Sequence, residues 1–230
     1  MQDFMPALKA HLLSRIKNIP GVVSSSMKED VSQLPRAIVR NNDLHSEGTE
    51  SGSVLIRNDR MYQHKVIRFN YTTYDVRRAQ DVVNPNTPHA DIMVLSGDDD
   101  MDTGTSQKHK FWYARVLGIY HVNAVYVGPG MVNHSPKRLD FLWVRWYQNH
   151  DVGVAESGLA MRKMHQLSFP PMRSDHAFGF LDPADVLRSC HIIPAFAKGR
   201  RYPESDNGRS GGLSACAGDS KDWNQYYVGQ

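Results

Sequence analysis

Two hydrophobic periods divide this chain, a helical one at the start and an alternating one through most of the rest. Phe4, Leu8, Leu12 and Ile16 recur every four residues, Met5 and Leu13 widen the stripe, and Lys9, Arg15 and Lys17 lie opposite it. That spacing covers one face of an α-helix. Asn18-Ile19-Pro20-Gly21 then stops it, because proline cannot continue a helix and glycine favours the turn. The pattern predicts an amphipathic helix within residues 1–20, packed on its own domain or docked on a protein partner. Large apolar residues thin out over residues 21–52, which carry Ser24-Ser25-Ser26 and Glu47-Gly48. This stretch is expected to be a flexible linker, with one short element near residues 34–39.

From Ser53 the period shortens to two. Val54 to Arg57 reads as a strand, and Asn58-Asp59 as a turn into a run from Met61 to Tyr74. In that run Ile67, Phe69 and Tyr71 share one face and His64, Val66, Arg68 and Asn70 the other. Ile92 to Leu95 is a short buried strand. Phe111 to Tyr147 holds two aromatic, β-branched runs around Gly128-Pro129-Gly130, with Lys110, Arg115, Lys137, Arg138 and Arg145 expected at the rim. Asp182-Pro183-Ala184-Asp185 has the cap, the proline and the second carboxylate of a short helix start. His191 to Pro194 reads as a strand that its proline confines to a sheet edge. The expected fold is mainly β (α+β), a small β-barrel or rolled antiparallel sheet with the N-terminal helix and one short late helix. Its core domain spans residues 53–197, residues 198–222 form a flexible tail, and the aromatic residues 223–230 read as a truncated terminal element.

Composition narrows the function classes only a little. The 230 residues carry a net charge of +3 and 40% hydrophobic side chains, with a pI near 8.8 and a mean hydropathy of -0.50. A core is within reach, and contact with an anionic partner is permitted but not demanded. The opening residues lack the apolar region of a signal peptide, and no run approaches the roughly 18 apolar residues of a membrane span. The expectation is an intracellular chain with no membrane contact and with Cys190 and Cys216 as free thiols.

The search for chemistry returns no catalytic residue, no metal ligand set and no cofactor motif. The eleven histidines never occur as HxH, HxxxH or HExxH, and no CxxC accompanies them. Cys190 and His191, being adjacent, would point to opposite faces of a strand. Asp98-Asp99-Asp100 and Asp102 lack the ligand spacing of a calcium loop. Nucleic-acid contact has more support. Arg57, Arg60, Lys65, Arg68, Arg77 and Arg78 crowd one hairpin-like region with Tyr62, Tyr71 and Tyr74, and Lys137 and Arg138 add to the basic set. Such side chains release counterions on binding phosphate, and exposed aromatics stack on unpaired bases. The competing reading makes these arginines a solvated strand face, partly neutralised by Asp59, Asp75 and Asp81. Trp112, Tyr113, Trp143 and Trp146 are candidates for an aromatic cage around methyl-lysine, or for the core.

Several long motifs carry a family resemblance. They are NYTTYDVRRAQDVVNP (70–85), DIMVLS (91–96), FWYARVLGIYHVN (111–123), RLDFLWVRWY (138–147) and AFGFLDPADVLRSCHIIPAFAKGRR (177–201), with LKAHLLSRIKN (8–18) and DSKDWNQYYV (219–228) at either end. Together they resemble a large family from mushroom-forming basidiomycete fungi. In its longer members this region follows a portion similar to a cut-and-paste transposase, and residues 22–50 match least. The resemblance implies a transposon-derived module whose catalytic carboxylates lie elsewhere, and it brings no catalytic residues to carry over. The YARV run, the VRWY strand and the DPADVLRSCHII segment are also similar in pattern to bromo-adjacent homology domains, which read chromatin. The expected function is a non-catalytic DNA- or chromatin-binding module in the nucleus. The alternatives are a metal-dependent nuclease or transposase fragment using Asp75, Asp81 or Asp98 to Asp102, and a protein-interaction domain working through its N-terminal helix.

Overall fold

The computed structural model describes residues 4–24, 50–96, 110–150, 165–202 and 212–229. The expected element near 34–39 and the Asp98 to Asp102 run lie outside them. In chain order the elements are α1 (Phe4–Lys17), β1 (Val54–His64), β2 (Ile67–Thr72), β3 (Arg78–Val83), β4 (Asp91–Leu95) and β5 (Phe111–Tyr126). There follow β6 (Lys137–Trp146), β7 (Gln148–His150), β8 (Gln166–Ser168), β9 (Phe178–Leu181), β10 (Val186–Ser189), β11 (His191–Pro194) and β12 (Tyr226–Gly229). The described chain is thus mainly β, with one α-helix, and every pairing given in register is antiparallel. No helix among the described residues is long and apolar enough to cross a membrane.

Two compact units emerge. The first gathers Met1–His64, Gly118–Trp143 and Gly179–Pro183, the second Lys65–Leu117, Val144–Phe178 and Ala184–Gln230. β5 and β6 therefore each give one stretch to either unit. In the first unit, β1 pairs with the later half of β5, from Val54 opposite Tyr126 to His64 opposite Ile119. Leu8, Leu12 and Ile16 of α1 are fully buried, in one cluster with Val122, Phe141 and Phe180. Each such side chain contributes on the order of 1.5–3 kcal/mol by leaving water. The apolar stripe of the helix is thus spent within its own unit. Asn58 and Asp59 do form a turn, both with positive φ, but it protrudes from within β1, where the register with β5 slips between Ile56 and Met61. Asn and Asp are the non-glycine residues that tolerate this region best.

In the second unit β10, β4 and the early half of β5 form one sheet, and β11, β12, β8 and β7 another. β2 and β3 make a separate hairpin, with Ile67 opposite Val83 and Thr72 opposite Arg78. The run expected from Met61 to Tyr74 is accordingly two strands, broken after His64. The late helix is also corrected: Pro183–Asp185 is a single 3-10 turn, because Val186 to Ser189 are already committed to pairing with β4. β11 does take a sheet edge, as its proline demands. Tyr226 to Gly229 pair with β11 on one side, and Tyr226 and Tyr227 with β8 on the other.

Candidate functional site

The basic candidates separate once the strands are placed. Arg57 and Arg60 flank the Asn58-Asp59 protrusion of β1 in the first unit, whereas Lys65, Arg68, Arg77 and Arg78 belong to the second. All six are exposed. In the β2–β3 hairpin the pleat points Phe69 inward, with Ile67 and Tyr71 half-buried beside it, and turns Arg68, Asn70, Arg78 and Gln80 outward. Gln80 donates to Asn70 across this outward face. Arg68 and Arg78 have no ion-pair partner among the described residues. Arg77 pairs with Asp75 at 2.9 Å, in solvent, where such pairs are worth little. Beyond the strands, Thr73 closes the loop by bonding both backbone groups of Arg77. Tyr74 at the tip is fully exposed, and Val76 is held at φ 62°.

Of the expected basic rim, Arg145 is buried and Arg115 half-buried. Arg145 is fully buried and pairs with Asp222 at 2.6 Å. Arg115 reaches Asp91 and Asp222, each at 3.3 Å, and donates to Tyr147 Oη, which in turn donates to Asp91. Both guanidiniums face the ring of Phe169. These four charges hold β4, β5, β6 and the segment before β12 together in the second unit, so they serve the core. Burial pushes the Asp91 carboxyl above its ordinary range, and Arg115 and Tyr147 offset only part of that rise. Of the other candidates, Lys137 is half-buried, while Arg138 is exposed and grips Asp140 on its own strand at 2.8 Å.

The aromatic candidates divide between the units and pack. Trp143 meets Phe4 edge-on in the first unit. Tyr113 is buried in a cluster with Leu167 and Phe169, and Trp112 and Trp146 make a T-shaped pair at 5.9 Å. Asp75 and Asp81, named for the nuclease alternative, have structural bonds. Asp75 pairs with Arg77, and Asp81 accepts the Ser189 N–H. Burial and the nearby Asp91 carboxylate push the Cys190 thiol well above its ordinary range, which suits no nucleophile.

The fold gathers one group that no local spacing announces. His64 on β1, His121 on β5 and Asp140 on β6 come from neighbouring strands of the first unit, and one ligand atom of each lies within 4.8 Å of the others. Val122 and Ala124 are buried while His121 is only half-buried. The three groups therefore sit on the sheet face turned away from the α1 core. His64 Nε2 and His121 Nδ1 are 2.7 Å apart, and the Tyr62 ring stacks on His121 at 4.7 Å and 9°. Desolvation, Arg138 and His64 lower the His121 pKa, and the hydrogen bond from Arg138 lowers that of Asp140. Only the diagonal pairing of β1 with β5 could have exposed this cluster, and a register is not readable from spacing. Comparison with known protein families, curated proteins and solved structures finds no match to this chain.

Proposed function

We propose that the chain is a non-catalytic nucleic-acid-binding module whose contact surface is the outward face and tip of the β2–β3 hairpin. The observation that carries this is the conjunction of two exposed arginines with no ion-pair partner among the described residues, Arg68 and Arg78, and a fully exposed Tyr74 at the adjoining loop. The arginines supply fixed charge for phosphates and the tyrosine a face for an unpaired base. Arg68 and Thr72, the partner of Arg78, are four residues apart on β2, so the two guanidiniums are set about 13 Å apart along the strand direction. They address separate phosphates. The resemblance to transposon-encoded proteins agrees with a DNA partner in the nucleus, and the mild net charge agrees with a local contact patch rather than a coating protein.

Fluorescence anisotropy of labelled duplex and single-stranded DNA, at 50 and 200 mM salt, tests the reading. The expected result is salt-dependent binding whose slope falls by about two when Arg68→Ala and Arg78→Ala are combined. Tyr74→Ala should weaken single-strand binding by about 1–3 kcal/mol and leave duplex binding little changed. Absence of binding to either probe at 50 mM salt rejects the proposal.

A further inference from the structure

We infer that His64, His121 and Asp140 form a binding site for a divalent first-row transition-metal ion, with zinc, cobalt and nickel as the class of occupant. The inference concerns the first unit and does not depend on the nucleic-acid reading. Two imidazoles and one carboxylate, each from a different strand of one sheet, offer ligand atoms within 4.8 Å of one another. Imidazole nitrogens favour these ions over magnesium or calcium, which take oxygen-rich shells. Metal–nitrogen bonds of about 2.0–2.1 Å place adjacent ligand nitrogens about 2.9 Å apart in an octahedral shell and about 3.4 Å apart in a tetrahedral one. The observed 2.7 Å between His64 Nε2 and His121 Nδ1 is a small side-chain adjustment from the first.

The surroundings hold the ligands as a metal site requires. Tyr62 stacks flat on the His121 ring and fixes its plane. Arg138 bonds Asp140 twice at Oδ1 and once at Oδ2, orienting the carboxylate while leaving Oδ2 a lone pair for an ion. The guanidinium also opposes a cation by its charge, which sets affinity below that of a site without it. On binding, the hydrogen shared by the two rings must leave the bond between them. Each imidazole then carries its proton on the nitrogen away from the ion, His64 on Nδ1 and His121 on Nε2, so no net proton is released. Three protein ligands leave at least one coordination position for water, and all three residues are only half-buried, so that position is open to solvent.

Isothermal titration of the full chain with Zn²⁺, Co²⁺ and Mg²⁺ tests the site. One Zn²⁺ or Co²⁺ per chain is expected, with no saturable Mg²⁺ binding. His64→Ala, His121→Ala and the shape-conserving Asp140→Asn should each weaken Co²⁺ at least tenfold while retaining the wild-type circular dichroism spectrum. His134→Ala, an exposed histidine outside the cluster, should leave it unchanged. Should a variant fail to fold, paramagnetic broadening by Co²⁺ in the wild-type chain decides: the ring protons of His64 and His121 should be lost first. No saturable binding of either ion, equal Mg²⁺ affinity, wild-type affinity in the folded variants, or broadening centred on other histidines overturns the assignment.

Discussion

Arg145 and Asp222 meet at 2.6 Å with neither side chain reaching solvent. Such a pair gains strong attraction in a low dielectric but has lost the hydration of both ions, so its value lies in the cost of breaking it. Asp222 also accepts from Tyr226 and Arg115, which leaves few of its lone pairs idle. Asp222→Ala is expected to destabilise the protein by about 3–5 kcal/mol in urea unfolding. Arg77→Ala, which breaks the exposed pair with Asp75, should shift the same curve by less than about 1 kcal/mol. A small effect of Asp222→Ala would show that the pair is not a clamp.

His11 predicts an acid-sensitive first unit. It is buried in α1 beside Phe180, its Nε2 has no hydrogen-bond partner among the described residues, and burial together with Arg15 lowers its pKa to about 3. An unfolded chain takes up this proton near the ordinary value of 6.5, whereas the folded chain resists until about 3. Below 6.5 the unfolded state therefore binds more protons, and stability is lost as pH falls through that window. The loss attributable to His11 is about 2 kcal/mol between pH 7 and pH 5. His11→Leu should remove that portion of the slope, measured as the difference between wild-type and variant urea unfolding at the two pH values.

Val76 sits at φ 62° at the exposed hairpin tip, where a β-branched side chain crowds its own backbone. Val76→Gly relieves the strain but frees the unfolded chain, and the first effect is the larger at this dihedral. A stabilisation of up to about 1 kcal/mol is expected by thermal unfolding. If strain at the tip holds Tyr74 outward, the same variant should also weaken single-strand DNA binding.

The two thiols should differ in reactivity. Cys216 is exposed, while Cys190 packs against the Tyr113 cluster and is held protonated. At neutral pH a thiol reagent should modify Cys216 rapidly and reach Cys190 only on unfolding. Equal rates would contradict the packing around β10 and β11.

Local pattern was readable where local forces decide. The Leu8, Leu12 and Ile16 stripe, the alternation of Ile67, Phe69 and Tyr71, and the edge position imposed by Pro194 each follow from one element's own geometry. Arg115 and Arg145 escaped because their pairing depends on Asp222, 107 and 77 residues further along. An arginine in an aromatic run looks like a rim residue until its carboxylate is found. The His64, His121 and Asp140 group escaped for the same reason, being assembled by strand register rather than by spacing. The neighbours of two other candidates were equally hidden: Asp81 accepts the Ser189 N–H, and Tyr113 packs with Leu167 and Phe169.

The slot filled by β12 carries a consequence for biogenesis. Tyr226 to Gly229 complete a ladder whose two flanking strands, β11 and β8, are synthesised earlier. Until the ribosome delivers these residues, each flank exposes an unsatisfied row of amides and carbonyls, and Arg145 waits for Asp222. Nascent second-unit chains are therefore open to capture by any extended strand, whether a chaperone's or a sister copy's, up to the moment the final ladder zips shut.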